Sequence, residues 1–293
     1  MGISGKTFLC AVIGDPIEHS LSPTIQNAAF NTLGLDFVFT AFTVKPSNVT
    51  NALSGIRALG IVGVNVTMPH KEAVVQYLDW TDASVKRLNS VNTIHCKEGK
   101  LLGYSTDGIG ALKALKENGA DPYGKRVLLL GAGGAARAIA YALIHEVDEL
   151  VILNRTVFEV KMLSETLKME FNKKISVDSF APSVITEKIC NTDILINATP
   201  VGMNPYKEQS LVAQSSLKSD LTVMDIVYSP VETKLAKDAK VVGAKVISGV
   251  EMLIYQGAAS FEIWTGHKAP VQVMREAVLE QLNKRQSACE EKH

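Results

Sequence analysis

Short apolar runs alternate with segments of helical period along most of the chain. In the first third, apolar runs at 8–14, 37–44 and 63–68 are each followed by a segment of helical period, at 22–34, 48–60 and 71–78. Apolar runs of this length, separated by helices, are typical of the βαβ units of a largely parallel sheet. The stretch at 91–106 breaks the rhythm and predicts a hairpin, so we expect a mixed, mostly parallel sheet here.

A second series of the same kind follows a helix predicted over 107–119. Further strands are predicted at 126–130, 150–154, 193–199 and 221–228, with helices after the first two and a last helix at 269–286. A chain of 293 residues with two such series indicates about two domains. The fold class is therefore α/β, with a Rossmann-like second domain.

A glycine-rich turn follows the strand predicted at 126–130. Gly131, Gly133 and Ala136 form a G-x-G-x-x-A pattern that opens an alanine-rich helix. The first glycine permits a tight turn, the second lets a pyrophosphate approach the backbone, and the small third residue lets helix and strand pack closely. Glycines at a strand end also form plain turns, but this strand–helix context favours a dinucleotide site that includes Gly134 and Ala135.

The end of the next strand bears on cofactor choice. Rossmann proteins that bind NAD place an acidic residue there, against the ribose 2′-hydroxyl. This chain has Asn154, Arg155 and Thr156 instead. An arginine can form charge-assisted bonds to a 2′-phosphate, so we predict NADP, although a surface arginine after a strand is also common.

Polar residues in the first half of the chain fall where strands end and helices begin. They are Ser20, Ser22, Asn65, Thr67, Lys71, Asn92 and Asp107. Such positions face the carboxyl ends of the strands, where ligands bind in α/β folds, and the set suits a small polyhydroxylated acid. Simple alternatives exist, because Ser22 and Asp107 are also good N-caps. Lys71 is predicted in the first turn of a helix, the end that disfavours a cation.

Composition excludes several classes of protein. Thirty basic and thirty acidic residues leave no net charge, so we expect neither nucleic acid nor a membrane as partner. Four scattered cysteines form no metal-binding or disulfide pattern, which indicates a reduced compartment and no metal. With no signal-peptide pattern at the start, we expect a cytoplasmic protein.

Ordered blocks along nearly the whole chain are similar to those of the shikimate dehydrogenase family. They read HSLSP, NVTMPHK, VNT, GYSTDG, GAGGAAR, NRT, NATPVGM, DIVYSPVET and MLIYQGAASFEIWTG. The resemblance implies reversible, NADPH-dependent reduction of 3-dehydroshikimate to shikimate, a precursor of aromatic amino acids. It also implies a discontinuous substrate-binding domain, 1–106 with 250–293, around an NADP domain at 107–249, with the C-terminal helices packing back on the first domain.

The resemblance assigns roles residue by residue. Lys71 and Asp107 match the catalytic pair, and Asn154, Arg155 and Thr156 match the NADP-selecting triplet. Gly249 matches a contact near the nicotinamide. The residues that match substrate ligands are Ser20, Ser22, Thr67, Asn92, Tyr228 and Gln256.

Two alternatives stay open at this stage. One is a quinate/shikimate dehydrogenase with broader substrate use, decided at Ser20 and Ser22. The other is a non-enzymatic NADP-binding regulator on the same scaffold, which is disfavoured because Lys71 and Asp107 are both present. The chain departs from the family pattern at Ser105, commonly Asn, and at Gln26, commonly His. We expect a monomer or homodimer that binds a small-molecule substrate.

Overall fold

The computed structural model describes residues 2–290, which divide into two compact units. The first unit takes in the chain up to Thr106 and resumes at Ile254; the second is Asp107–Leu253. Residues 291–293, which the predicted substrate-binding domain includes, lie outside the described residues. Within the described part of the chain, no helix is long and apolar enough to cross a membrane.

The strands and helices alternate along the chain much as the apolar pattern predicts. The strands are β1 (Phe8–Gly14), β2 (Phe37–Thr43), β3 (Gly63–Val66), β4 (Trp80–Thr81), β5 (Thr93–Lys97), β6 (Lys100–Tyr104), β7 (Arg126–Leu130), β8 (Glu149–Asn154), β9 (Lys174–Ser179), β10 (Ile194–Asn197), β11 (Thr222–Asp225) and β12 (Lys245–Ser248). The α-helices are α1 (Ser22–Thr32), α2 (Val49–Ala58), α3 (Ala83–Leu88), α4 (Asp107–Glu117), α5 (Gly134–Leu143), α6 (Val157–Lys168), α7 (Pro182–Ile189), α8 (Lys234–Val241), α9 (Gly249–Thr265) and α10 (Val271–Glu290).

The first unit is built on a mixed six-stranded sheet in the order β2-β1-β3-β5-β6-β4. Strands β1, β2 and β3 are parallel, whereas β5 runs antiparallel to β3 and to β6. The hairpin predicted at 91–106 is confirmed as β5–β6, and Glu98 and Gly99 take positive φ at its turn. Both ends of this unit's sequence therefore contribute to one fold, since α10 packs on α1.

Aromatic residues of α9 pack against α1 and against this sheet. Phe261 lies 5.3 Å from Phe30, ring centre to ring centre, and both are fully buried. The indole N–H of Trp264 donates to the carbonyl of Ile94 in β5 at 2.9 Å. A side chain on Gly63 would collide with the Trp264 ring, so glycine is required where α9 crosses β3. The expectation that the C-terminal helices pack on the first domain is confirmed in these contacts.

The helix predicted over 71–78 is wrong. The chain forms turns at 68–69 and 71–74 and then one 3-10 turn at Val75–Tyr77. Val74 is fully buried, and Val75 and Leu78 pack against the same core cluster, so these turns bury the apolar side chains without a helix. A helix of eight residues is also marginal on its own. Lys71 therefore lies in a turn, and the argument from the helix dipole does not apply to it.

The second unit is a parallel six-stranded sheet in the order β12-β11-β10-β7-β8-β9. Numbered within this unit, the strands follow the 3-2-1-4-5-6 order of Rossmann folds. The direction of winding reverses between the neighbouring strands β7 and β10. The carboxyl ends of these two strands therefore border the crevice in which such folds bind ligands.

Candidate active site

Asn92 lies just before β5 with its side chain held from both ends. Its Oδ1 accepts from the backbone N–H of Thr106 at 2.7 Å, which fixes the orientation of the amide. Its Nδ2 therefore points to hydrogen-bond acceptors, Thr106 Oγ1 at 2.8 Å and Gln256 Oε1 at 3.3 Å. Two residues predicted as substrate ligands, Asn92 and Gln256, are thus brought together, although they lie far apart in the sequence.

A buried hydroxyl cluster supports this amide pair. Ser260 Oγ lies 2.7 Å from Thr93 Oγ1 and 3.2 Å from Thr106 Oγ1, and all three residues are fully buried. Asn65 Nδ2 donates to Ser260 Oγ at 3.1 Å, and Ser260 also bonds the carbonyl of Gln256 at 3.0 Å. Sequence reasoning missed Ser260. Its spacing of four residues from Gln256 on one helix was the signal that could have found it.

The turn that carries Lys71 is anchored by its neighbour. A ring nitrogen of His70 lies 2.6 Å from the carbonyl oxygen of Val44, and it must donate because a carbonyl can only accept. His70 is 1% exposed, so the anchor is part of the core. The carbonyl of Lys71 accepts from Val91 N at 2.9 Å. Lys71 is therefore held beside the strand end that presents Asn92, while Thr67 at the start of the turn stays half-buried.

Asp107 is the first residue of α4 and is 6% exposed. The residue before it, Thr106, is fixed through its N–H and its hydroxyl by Asn92. Ser105, where the family commonly has Asn, is also buried, and its N–H donates to Asp82 Oδ2 at 3.2 Å. Hydrogen bonds to Ser105 and Thr106 therefore fix the backbone that leads into Asp107.

The capping interpretation of Ser22 is wrong. Ser22 is the first residue of α1, and its N–H donates to Ser20 Oγ at 3.2 Å. The two serines predicted as substrate ligands are therefore in contact at the start of one helix. Four residues on, Gln26 is 1% exposed and its Nε2 donates to the Gly257 carbonyl at 2.9 Å, so this departure from the family pattern ties α1 to α9.

The glycine-rich turn after β7 has the features that a dinucleotide needs. Gly131 has φ +117°, and a side chain on it would meet the Ala198 carbonyl oxygen at 2.8 Å, so only glycine fits. Gly133 is exposed, and no atom lies within 4 Å of the position a Cβ would take. It is the N-cap of α5 and provides no side-chain cap, so the first N–H groups of the helix, at Gly134 and Ala135, can bind an anion.

The end of β8 carries the predicted triplet, together with an acidic residue that sequence reasoning missed. Arg155 and Thr156 are exposed, and among the described residues Arg155 has no hydrogen-bond or ion-pair partner. Asn154 Nδ2 donates to Glu159 Oε2 at 2.6 Å. Glu159 lies in the first turn of α6, which returns its carboxylate to the strand end. No acidic residue follows β8 directly in the sequence, but in the folded chain the Glu159 carboxylate contacts Asn154 at the end of this strand.

A buried carboxylate, Asp225, joins the loops that follow β10 and β11. Its Oδ1 accepts from Asn197 Nδ2 at 2.9 Å and from Val227 N at 3.1 Å, and its Oδ2 accepts from Thr233 Oγ1 at 2.6 Å. Burial raises the pKa of Asp225 above its usual range, against the lowering effect of these bonds. Tyr228 is half-buried in the loop that this carboxylate shapes.

Gly249 opens α9 against the same loop. A Cβ there would come well within 3.0 Å of the carbonyl oxygens of Ile226 and Val227. The backbone of this loop therefore passes directly over Gly249, which only glycine permits. Among the side chains that the structure describes, no three His, Cys, Asp or Glu residues are grouped as metal ligands.

Three features of the second unit together indicate the class of protein. They are the Rossmann strand order, the open N-terminus of α5 where the strand order reverses, and the exposed Arg155 after β8. The protein is an NADP-dependent oxidoreductase of the Rossmann type. Within that class, the chain belongs to the shikimate dehydrogenase family. Family models match it at 12–94 (shikimate dehydrogenase substrate binding domain), 113–245 (shikimate/quinate 5-dehydrogenase) and 249–279 (shikimate 5′-dehydrogenase C-terminal domain).

Relatives of known name match over nearly the full length. The NADP(+) shikimate dehydrogenase of Methanopyrus kandleri is 46% identical, covering 96% of this chain and 98% of its own. A crystal structure of a shikimate dehydrogenase in complex with NADP+ is 42% identical with a TM-score of 0.91, covering 96% and 98% of the two chains. The shikimate 5-dehydrogenase of Listeria monocytogenes, in complex with shikimate and NAD, is 36% identical with a TM-score of 0.88, covering 94% and 98%.

Proposed function

We propose that this protein is an NADP-dependent shikimate dehydrogenase. It transfers a hydride reversibly between NADPH and 3-dehydroshikimate, giving shikimate. The observation that carries the proposal is the hydrogen bond between Asn92 and Gln256 above a buried hydroxyl cluster. Fixed amides of this kind select a ligand by its hydroxyl groups, because an analogue without them leaves buried polar groups unpaired.

The substrate's two ends would be recognised by different groups. Ser20 and Ser22, adjacent at the start of α1, suit a carboxylate, to which their hydroxyls can donate. Asn92 and Gln256 suit ring hydroxyls, which both donate and accept. Thr67 and Tyr228 complete the proposed set of substrate ligands.

Lys71 and Asp107 are the proposed acid/base groups. NADPH, when bound, supplies the hydride from C4 of its nicotinamide, and the substrate oxygen must then gain a proton. Lys71 carries protons and is held in an anchored turn, and the chain entering Asp107 is fixed by Asn92. Either residue can carry out the proton transfer.

The second unit provides the proposed cofactor site. The pyrophosphate would lie on the N–H groups of Gly133, Gly134 and Ala135, after the turn at Gly131. The exposed guanidinium of Arg155, flanked by Asn154 and Thr156, would bind the 2′-phosphate. Gly249, under the loop after β11, is the proposed contact near the nicotinamide.

The same proposal covers the setting of the enzyme. The first unit would bind the substrate and the second NADP, and the protein would act in the cytoplasm as a monomer or homodimer. Cys10, Cys96 and Cys190 are free thiols, which supports a reducing compartment. No nucleic acid or membrane partner is proposed.

Absorbance at the nicotinamide band tests the function directly. Shikimate and quinate would each be offered with NADP+ and with NAD+. We expect the highest kcat/KM with shikimate and NADP+. A comparable rate with quinate would replace this proposal with the quinate/shikimate alternative. Binding of NADPH without turnover of either acid would make the protein a regulator.

A further inference from the structure

Glu159 occupies an unexpected place beside the triplet at the end of β8. Its carboxylate accepts from Asn154 Nδ2 at 2.6 Å, and Asn154 also donates to the Thr156 carbonyl at 3.3 Å. Both residues thus hold the side chain of Asn154, which precedes Arg155 directly. Glu159 is exposed and is the acidic residue of the first turn of α6.

The spacing of Thr156 and Glu159 is that of a capping box, in which the glutamate accepts from the backbone N–H of the N-cap residue. In this structure Thr156 forms no side-chain cap bond, and the Glu159 carboxylate is turned to Asn154 instead. The side chain therefore faces the strand end rather than closing the helix.

The charge of Glu159 matters because of what is proposed to bind beside it. The 2′-phosphate of NADP is an anion, whereas the corresponding 2′-hydroxyl of NAD is neutral and can donate a hydrogen bond to a carboxylate. The negative carboxylate of Glu159, in contact with Asn154, therefore repels the 2′-phosphate of NADP but not the 2′-hydroxyl of NAD. Arg155 attracts the phosphate, so opposite charges act on the same group from neighbouring positions.

From this arrangement we infer that Glu159 is a specificity-determining residue that weakens the protein's preference for NADP over NAD. The inference rests on the proposed binding of the 2′-phosphate at Asn154, Arg155 and Thr156. It concerns the degree of selectivity, which the triplet alone does not determine. Removing the negative charge while keeping an acceptor for Asn154 strengthens the preference for NADP.

The test is an equilibrium titration of the intact enzyme with NADP+ and with NAD+, by calorimetry and without substrate. Glu159→Gln keeps an acceptor for Asn154 and removes the charge. Glu165→Gln is the matched control, since it removes the same charge from an exposed position further along α6. We expect Glu159→Gln to tighten NADP+ binding about 3- to 10-fold at physiological salt. Its NAD+ affinity and both affinities of Glu165→Gln should stay at the wild-type values.

Two results would overturn the inference. One is an unchanged or weaker affinity of Glu159→Gln for NADP+. The other is equal tightening of NADP+ and NAD+ binding, which would mean a general structural effect. Arg155→Ala serves as a separate arm: unchanged NADP+ affinity there contradicts the proposed phosphate site, while the Glu159→Gln titration still decides the role of Glu159.

Discussion

The side-chain amide of Asn92 donates to Gln256 Oε1 at 3.3 Å, across 164 positions of the chain. One residue precedes a strand of the first sheet and the other lies on α9, near the end of the sequence. Thr106 orients the side-chain amide of Asn92, and Ser260 bonds the backbone carbonyl of Gln256. Asn92 and Gln256, the proposed ligand-binding amides, are therefore held by hydrogen bonds to buried residues.

Ser260→Ala tests that support. The substitution removes a hydroxyl that bonds Thr93, Thr106 and the Gln256 carbonyl in a fully buried position. Leaving such partners unpaired costs about 1–3 kcal/mol, so we expect the free energy of unfolding in urea to fall by that amount. The KM for shikimate should rise, because Gln256 loses its fixed position.

Ser54→Ala is the matched control. Its hydroxyl makes the same kind of bond, to the carbonyl of Thr50 four residues earlier, but on an exposed surface. We expect almost no change in stability and none in KM. If both serine variants lost equal stability, the buried cluster would not have the supporting role described above.

Lys71→Ala tests the proposed acid/base role. Loss of a proton-transfer group lowers kcat by about 100-fold or more, with a smaller change in KM, since the interaction is made mainly in the transition state. Steady-state rates with shikimate and NADP+ measure both. Near-normal kcat would make Lys71 a residue of the turn and no more.

Lys86→Ala controls for removal of a lysine from the same unit. Lys86 is exposed in the last turn of α3, and no role in the site is proposed for it. Its kcat and KM should equal those of the wild type. Circular dichroism of both variants checks that neither substitution unfolds the protein.

Gly249→Ala tests the close approach of the loop after β11. A Cβ would come well within 3.0 Å of the backbone at Ile226 and Val227, which cannot move as a side chain can. Forcing atoms into such a space costs about 1–3 kcal/mol, and the displaced loop should raise the KM for NADPH. Thermal unfolding and steady-state kinetics measure the two effects.

Gly55→Ala is the corresponding control in α2. No atom lies within 4 Å of the position its Cβ would take, and alanine favours a helix over glycine by about 1 kcal/mol. We expect equal or greater stability and unchanged kinetics. A destabilised Gly55→Ala would show that the Gly249 result is not specific to the backbone contact.

Asp225 should give stability a particular dependence on pH. Burial raises its pKa, so the folded protein holds this proton to higher pH than the unfolded chain does. The contribution of Asp225 to stability is therefore full below its usual pKa of 3.8 and is lost as pH rises through the raised value. Asp225→Asn stays neutral, and its amide oxygen can still accept from Asn197 and Val227.

Urea unfolding of the wild type and Asp225→Asn at intervals from about pH 4 to pH 8 measures this effect. The stability of the variant relative to the wild type should increase as the pH rises. A difference that does not change with pH would show that Asp225 has the same pKa in the folded and unfolded chains.

The sequence predicted much of the fold because its strands are short apolar runs buried in the sheets. Helices α1, α2 and α4 agree with the predicted ranges to within two residues. The edge strands β9 and β12 were not predicted. In β9 the apolar residues Ile175 and Val177 are separated by Ser176, so there is no continuous apolar run. The helix expected at 71–78 did not form, because turns already bring Val74, Val75 and Leu78 to the core.

The sequence revealed only those residues of the candidate site that stand out as polar positions next to apolar runs. Asn92 directly precedes β5 and Lys71 lies in the turn that follows β3, so both are polar residues next to apolar runs. Ser260, His70 and Asp225 support the site through contacts between distant segments, which no local pattern reveals. Glu159 was missed for the same reason, although it is near in sequence. The first turn of α6 brings its carboxylate to Asn154 at the end of β8.

The packing of Trp264 on Gly63 and Ile94 also has a consequence for the order in which the protein is made. The ribosome delivers the first sheet well before α9, and the second unit, Asp107–Leu253, is synthesised between them. Domains tend to fold as they emerge, and the second unit is continuous, so it can complete its fold first. The first unit cannot complete its fold until α9 has been synthesised, so the apolar face of its sheet stays uncovered for longer than that of the second unit.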